Sequence, residues 1–261
     1  MKIVRTIAAV REELAGRRDG AVGLVPTMGA LHDGHRALLY AARDECDAVV
    51  MSLFVNPAQF GDSGDLAGYP RNEEDDLAVA LECGVDVVFA PTVGEMYPPG
   101  FETWVDIVEL GSILEGAVRP GHFRGVATVC LKLFAIVEPD RAYFGQKDAQ
   151  QVEVVRRMAR DLALGVEVRS VPTVRDGDGL ALSSRNTGLT QEERRAALTL
   201  PRALATRDAE RARALLAAED ALSVDYVELA DFDPPCLAAA VRVGGTRLID
   251  NVPLGDGGTA S

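Results

Sequence analysis

A chain of 261 residues, 48% of them hydrophobic, carries enough apolar material for a sizeable core, which excludes a disordered or fibrous protein. Asp and Glu outnumber Lys and Arg by 40 to 27, giving a formal net charge of -13, and no basic cluster offsets this locally, so nucleic acid is disfavoured as a partner. The absence of any long uninterrupted apolar run argues against a membrane span, and the scattered Cys46, Cys83, Cys130 and Cys236 suggest neither a disulfide framework nor a zinc site, so a cytoplasmic protein with reduced, buried thiols is expected.

From residue 21 to residue 171, short apolar runs alternate with amphipathic stretches. Strands are expected over 21–26, 47–55, 86–91, 142–145 and 166–171, and helices over 34–46, 72–83 and 149–164. The run Val49-Val-Met-Ser-Leu-Phe-Val55 lacks polar alternation, as suits a strand covered on both faces, whereas the intervening segments repeat apolar residues at helical spacing. This βαβ pattern predicts an α/β fold built on a Rossmann-like, doubly wound parallel sheet. Residues 124–137 form a further helix, stopped by Pro139.

Beyond Val171 the texture changes. Arg175-Asp-Gly-Asp-Gly-Leu180 is turn-rich, residues 191–220 form a helical region of Ala, Arg and Leu, and 224–229 and 246–251 read as strands of a small sheet. The expected organisation is a Rossmann-like domain over 1–171 and a second, smaller C-terminal α+β domain over 172–261, with 255–261 as a frayed tail.

The first chemical signal is Val25-Pro-Thr-Met-Gly-Ala-Leu-His-Asp-Gly-His35, which joins the end of the first core strand to a helix start. Ligands of open parallel sheets sit at the carboxyl ends of the strands, and a helix N-terminus attracts anions. His32 and His35, three apart, project to one side and can both donate to one phosphate, with Gly29 and Gly34 letting the backbone approach it. The same pair can instead cap and pack the helix, or belong to a metal site, for which no third ligand is evident. The adjacent carboxylates Asp75 and Asp76 read as a solvated helix-face pair or as helpers.

Phe144-Gly-Gln-Lys-Asp-Ala-Gln-Gln151 is again a strand end followed by a helix start. Lys147, one of only three lysines, can offer a point charge to a phosphate; Asp148 can accept from ribose hydroxyls or cap the helix; Gln151 lies a turn further along. Leu180-Ala-Leu-Ser-Ser-Arg-Asn186 groups two hydroxyls with a guanidinium suited to clamping a triphosphate. There is no Walker loop, no G-x-G-x-x-G fingerprint after the first strand and no G-x-S-x-G elbow.

The order histidine pair, lysine loop, Ser-Ser-Arg loop resembles the nucleotidylyltransferase and class I aminoacyl-tRNA synthetase superfamily, with its H-x-G-H and K-M-S-K-S-type elements. Within it, six separated motifs resemble the pantothenate synthetase (pantoate-β-alanine ligase) family: Pro26-Thr-Met-Gly-Ala-Leu-His-Asp-Gly-His35, Phe54-Val-Asn-Pro-Ala-Gln-Phe60, Tyr69-Pro-Arg71, Pro120-Gly-His-Phe-Arg-Gly-Val126, Phe144-Gly-Gln-Lys-Asp148 and Leu182-Ser-Ser-Arg-Asn186. The chain departs from the superfamily in having Leu182-Ser183-Ser184 where K-M-S-K-S has lysines, and residues 194–223 look abbreviated beside the family's C-terminal domain.

The resemblance implies ATP-dependent condensation of pantoate with β-alanine to pantothenate, AMP and pyrophosphate, through a pantoyl adenylate. It implies ATP contacts on Met28, Gly29, Ala30, Leu31, His32, Asp33, Gly34 and His35, on Gly145, Gln146, Lys147 and Asp148, and on Val174, Leu182, Ser183, Ser184 and Arg185. His35, His32, Lys147 and Arg185 would act in catalysis, Gln59 and Gln151 would bind pantoate, and Tyr69, Phe60 and Met28 would form apolar walls. His122 reads as ordering its loop. Mg²⁺ would arrive on the ATP phosphates with few direct protein ligands, the domain over 172–261 would close over the site, and the protein would be a homodimer.

Overall fold

The computed structural model describes residues 1–17, 19–61 and 63–255. The tail expected over 255–261 lies, after Gly255, outside the described residues. The chain divides into two compact units, one comprising Met1–Gly145 and Val154–Val171, the other Gln146–Glu153 and the chain from Pro172 onward.

The first unit is a six-stranded sheet with every pairing parallel. Its strands are β1 (Lys2–Val4), β2 (Val22–Thr27), β3 (Ala48–Leu53), β4 (Val87–Phe89), β5 (Arg141–Gly145) and β6 (Glu167–Val171), in the spatial order β1-β4-β3-β2-β5-β6. The central strands are apolar because helices cover both faces, and β3 is buried along Ala48–Ser52. After β2 the chain builds outward through β3 and β4, then returns to place β5 on the other flank of β2, so the order reverses between β2 and β5. In open α/β sheets such a switch point, at the carboxyl ends of the strands, is where ligands bind. Thr27 at the end of β2 leads directly into Met28 to His32.

The helices of this unit are α1 (Ile7–Ala15), α2 (Asp33–Glu45), α3 (Ser63–Gly68), α4 (Glu73–Glu82), the short α5 (Val93–Met96) and α6 (Glu115–Val118), α7 (His122–Val137) and the greater part of α8 (Ala149–Asp161). On α2, Leu38, Leu39 and Ala42 repeat at helical spacing and pack with Val49, Met51 and Val88 of the sheet. Asn72 caps α4 by accepting from Asp75 N, and four acidic residues in its first turn suit the positive end of the helix dipole. α7 starts two residues before the expected helix, at His122, after a left-handed Gly121. β1 and α1 carry too short an apolar pattern to be read in advance; β1 exists by pairing with β4.

The second unit holds an antiparallel sheet of β7 (Leu222–Ala230), β8 (Cys236–Val243) and β9 (Thr246–Pro253). The expected helical region over 191–220 is corrected to three short helices, α9 (Gln191–Ala197), α10 (Thr199–Leu204) and α11 (Ala209–Ala217). The break before α11 has a visible cause, a left-handed Arg207 followed by Asp208, whose side chain caps α11 by accepting from Arg211 N. Leu200, Leu204 and Leu216 pack with Leu237, Ala239 and Val241 as this unit's core. The alanine-rich β8 shows no alternation and is nevertheless the middle strand, because its small side chains are buried on both faces.

Candidate active site

In the first unit the loop after β2 is left-handed at Gly29 (φ +84°) and Ala30 (φ +53°) before it enters α2. Asp76 of α4 holds this turn: its carboxylate accepts from Ala30 N (3.1 Å) and Leu31 N (2.8 Å). A side chain at position 29 would place its Cβ 2.6 Å from Asp76 Oδ2, so glycine is required there twice over, by φ and by space. Asp76 is 3% exposed, which corrects the expectation of a solvated Asp75–Asp76 pair; only Asp75 faces solvent. The physical reason is that the loop's Ala30 and Leu31 N–H groups find their acceptor in this carboxylate.

His32 and His35 stand with ring centroids 4.2 Å apart. His32 Nδ1 accepts from Gly34 N (3.1 Å), and His35 Nδ1 accepts from His32 N (3.3 Å). The capping reading of the pair is therefore realised, and it has a chemical consequence. A ring whose Nδ1 accepts a backbone N–H must, when neutral, carry its proton on Nε2, so both imidazoles are set as Nε2–H donors. Gly34 is needed for this geometry, since a Cβ there would lie 2.8 Å from His32 Cε1. Capping and anion binding are thus compatible roles, divided between the two nitrogens of each ring.

Gln59 sits in the 3₁₀ turn Pro57–Gln59, with its Nε2 3.0 Å from Met28 Sδ. Its Oε1 accepts from Asn56 Nδ2 (3.1 Å). Asn56, 1% exposed, also donates to Gly125 O (3.1 Å) and accepts from Tyr97 OH (2.8 Å) and Ala58 N (3.2 Å), which ties the turn to α7 and to the aromatic group of Tyr97, Phe101 and Trp104. Burial pushes the Tyr97 hydroxyl well above its ordinary value, so it remains a neutral donor to Asn56. His122 Nδ1 lies 2.9 Å from Gln59 O and its Nε2 3.2 Å from Arg119 Nη1. A carbonyl only accepts and a guanidinium only donates, so His122 is neutral with its proton on Nδ1, and it orders the Gln59 turn as its loop position suggests. Phe60 and Tyr69 meet edge to face at 5.8 Å.

In the second unit Gln146–Asp148 form a 3₁₀ turn running into α8. Lys147 is 17% exposed, its Nζ 3.5 Å from Asp148 Oδ1, and Gln151 lies on the first turn of α8, half-buried. Val174 O accepts from Leu182 N (3.0 Å), closing the turn-rich segment between them. Ser183 caps the short 3₁₀ helix Ser184–Gly188 by accepting from Arg185 N (3.3 Å), and Arg185 is exposed. Arg194 grips both Asp176 and Asp178 of the intervening turn, and its guanidinium holds the Asp178 carboxyl below the usual range.

The model of the Pantoate-beta-alanine ligase family matches residues 2–253 of this chain. The chain belongs to that family. A pantothenate synthetase of Moorella thermoacetica is 52% identical over 279 residues, covering 97% of this chain and 99% of its own. The crystal structure of pantothenate synthetase from Thermus thermophilus superposes with a TM-score of 0.92 at 47% identity, covering 97% of this chain and 99% of its own. A pantoate-beta-alanine ligase from Francisella tularensis, determined in complex with beta-gamma ATP and beta-alanine, gives 0.87 at 34% identity, covering 97% of each chain.

For this member of the ligase family, the residues that sequence motifs pointed to are gathered on two units: Met28 to His35 and Gln59 on the first, Gln146 to Asp148, Gln151, Val174 and Leu182 to Arg185 on the second, with Gly145 closing β5. The residues that hold them were not assigned that role from the sequence: Asp76, named only as a helper or a solvated carboxylate, Asn56, quoted only within the motif over 54–60, and, in the second unit, Asp250 and Asn251. The local signal for the holding role was clearest at Asn56, placed before a proline as a turn cap. All four cysteines are buried, and burial pushes Cys130 up to about 12 and Cys236 to about 11, so neither of these two offers a thiolate nucleophile. Among the described residues no cluster of three or more His, Cys, Asp or Glu is arranged to hold a metal ion, and no helix is long and apolar enough to cross a membrane.

Proposed function

We propose that this chain condenses pantoate with β-alanine at the expense of Mg²⁺-ATP, by way of a pantoyl adenylate. The observation that carries the reading is the near-complete match to the ligase family, joined to a histidine pair whose Nδ1 atoms are occupied by the backbone and whose Nε2–H groups are set as donors. The Francisella ligase, determined in complex with beta-gamma ATP and beta-alanine, supports the choice of substrates.

In the first step a pantoate carboxylate oxygen attacks the α-phosphorus of ATP, the bond from that phosphorus to its bridging oxygen breaks, and pyrophosphate leaves. In the second, the neutral amine of β-alanine attacks the acyl carbon, the acyl–oxygen bond breaks, AMP leaves and a proton is lost to solvent. Neither step needs an enzyme nucleophile. The protein's part is alignment and neutralisation of developing charge by preset donors. His32 and His35 serve as N–H donors, Lys147 and Arg185 as cations, Ser183 and Ser184 as hydroxyl donors, and the remaining ATP contacts are those assigned by resemblance. Gln59 and Gln151 are neutral, so they can hydrogen-bond pantoate without lowering the nucleophilicity of its carboxylate through an ion pair.

The donor set of cations, hydroxyls and N–H groups fits phosphate and not a resident metal, so Mg²⁺ is read as part of the nucleotide substrate. We place the protein in the cytoplasm as a homodimer; a monomer in sedimentation at micromolar concentration would contradict the latter. The test of the reaction is isotopic. Pantoate carrying ¹⁸O in its carboxylate must pass one label into AMP once β-alanine is added, whereas without β-alanine about one equivalent of pyrophosphate per site should form before turnover stalls. Unlabelled AMP, or ADP as the product, would overturn the mechanism.

A further inference from the structure

Within the second unit, two adjacent residues of β9 each grip a different nucleotide-loop segment. Asn251, 3% exposed, donates from Nδ2 to the carbonyl oxygens of Gln146 (2.8 Å) and Lys147 (3.0 Å). Asp250, 2% exposed, receives the guanidinium of Arg175 in a two-point fork, Nη1 to Oδ2 at 2.7 Å and Nη2 to Oδ1 at 3.0 Å. The two side chains are linked, because Asp250 Oδ1 also accepts from Asn251 N (2.8 Å). Arg175 in turn donates to Gly179 O (3.2 Å), so the fork holds the turn whose end, Leu182, pairs back to Val174 and leads into Ser183.

The chemistry of these contacts is directional. An amide NH₂ has two protons and no others to give, and Asn251 presents them to two successive backbone carbonyls. Two anchored carbonyls fix the peptide planes on both sides of Lys147, and with them the direction in which its side chain leaves the chain. The fork at Asp250 likewise fixes a plane, since a planar guanidinium matched to a carboxylate has one orientation. Both anchors are on the strand paired with the middle strand of the sheet, where Asp250 and Asn251 face the small Ala239 and Ala238 in register, so neither is carried on a flexible element.

We propose that Asp250 and Asn251 are positioning residues for adenylate formation: the pair mounts the lysine loop and the Arg175–Ser183 turn on one rigid strand and so sets the spacing of Lys147 from the Ser183-Ser184-Arg185 group. The proposal rests on the assignment of those groups to the triphosphate of ATP. Its specific consequence is that the pair matters while the triphosphate is present and ceases to matter once pyrophosphate has left.

The decisive variant is Asn251→Asp, which keeps size and shape but turns a carboxylate oxygen toward two carbonyl oxygens. Pyrophosphate release in a single turnover with pantoate and ATP should fall by about 10- to 100-fold, the scale of a misplacement of order 1 Å. Aminolysis of supplied pantoyl adenylate by β-alanine should stay within about threefold of wild type, because the β- and γ-phosphates assigned to the displaced cation have already left with pyrophosphate and only the α-phosphate of the adenylate remains. In a Lys147→Ala background the same substitution should cost less than about threefold, since residues acting through one another are not additive. Equal losses in both half-reactions, full additivity with Lys147→Ala, or unchanged pyrophosphate release would each overturn the proposal. Should Asn251→Asp fail to fold by circular dichroism, Asn251→Ser, which retains one donor, is judged by the same criteria with a smaller expected loss. If the wild-type protein releases no pyrophosphate from ATP with pantoate, the reaction assignment fails separately. Calorimetry then still tests the clamp, as Asn251→Asp must weaken ATP about tenfold or more, and an unchanged affinity overturns it.

Discussion

Asp76→Asn isolates the contact that shapes the loop before the histidine pair. The carboxylate now receives two part-buried N–H groups, from Ala30 and Leu31, at 3.1 and 2.8 Å. An amide in its place keeps one oxygen for one of them and turns an NH₂ group toward the other. One charge-assisted hydrogen bond is lost and one part-buried donor is left unpaired, a cost of about 1–3 kcal/mol. At about 2–4 °C per kcal/mol for a chain of this size, Tm should drop by several degrees. The backbone that this contact holds is itself unfavourable, for a left-handed alanine costs about 1–2 kcal/mol, and Ala30 has φ of +53°. With the contact halved, Ala30 can relax to negative φ and carry His32 away from its Nε2–H alignment. kcat/KM for ATP should then fall by about 100-fold, the scale of a misplacement of order 1 Å. Steady-state kinetics and a thermal melt on the same preparation make the check. A lowered Tm with wild-type kcat/KM would show that the loop keeps its form without Asp76, and a wild-type Tm would refute the energetic reasoning itself.

Gln59→Ala and Gln151→Ala should each weaken pantoate far more than ATP in calorimetry, since both side chains are assigned to the acid; a loss confined to ATP would remove them from the pantoate site. Asp86 predicts an acid-sensitive contribution to stability. Burial alone would raise its carboxyl, but the Val49 N–H together with Arg43 and Arg17 outweighs burial and holds it below its ordinary 3.8. A depressed carboxylate contributes fully above its unfolded value and loses that contribution as pH falls through the folded one. Asp86→Asn should therefore be less stable than wild type at pH 7 by about 1–3 kcal/mol, with the gap closing below pH 3.8 in urea melts; a gap independent of pH would contradict the assignment.

The strands β2 to β6 and helices α2, α4, α7 and α8 are legible in the sequence because each pattern is local. A strand buried on both faces is a short continuous apolar run, and a helix on the sheet repeats at its own period. β8 is not legible, since the alanine-rich stretch Cys236-Leu-Ala-Ala-Ala-Val241 favours helix by propensity and becomes a strand only between β7 and β9. The split of the region over 191–220 is hidden where α9 meets α10, since Leu198 gives no stop signal, and is marked locally only by the Asp208 cap of α11. Among the site residues, the histidine pair, Lys147, the Ser-Ser-Arg group and the two glutamines stand out as chemical types at strand and helix ends.

What the sequence by itself determined was the parallel α/β fold, the identity of the groups able to meet phosphate, and the family to which their order belongs. Those properties depend on residue type and on spacing within about one turn or one strand. Only the tertiary structure decided how the groups are held. Asp76 reaches a loop 45 positions earlier, His122 reaches Gln59 across 63, and Asn251 reaches Gln146 and Lys147 across more than a hundred. A buried N–H or carbonyl takes whichever partner packing brings to it, and that partner is set by the course of the whole chain. For the same reason the proton positions on His32, His35 and His122 follow from the backbone groups placed against their rings, which no spacing in the sequence records.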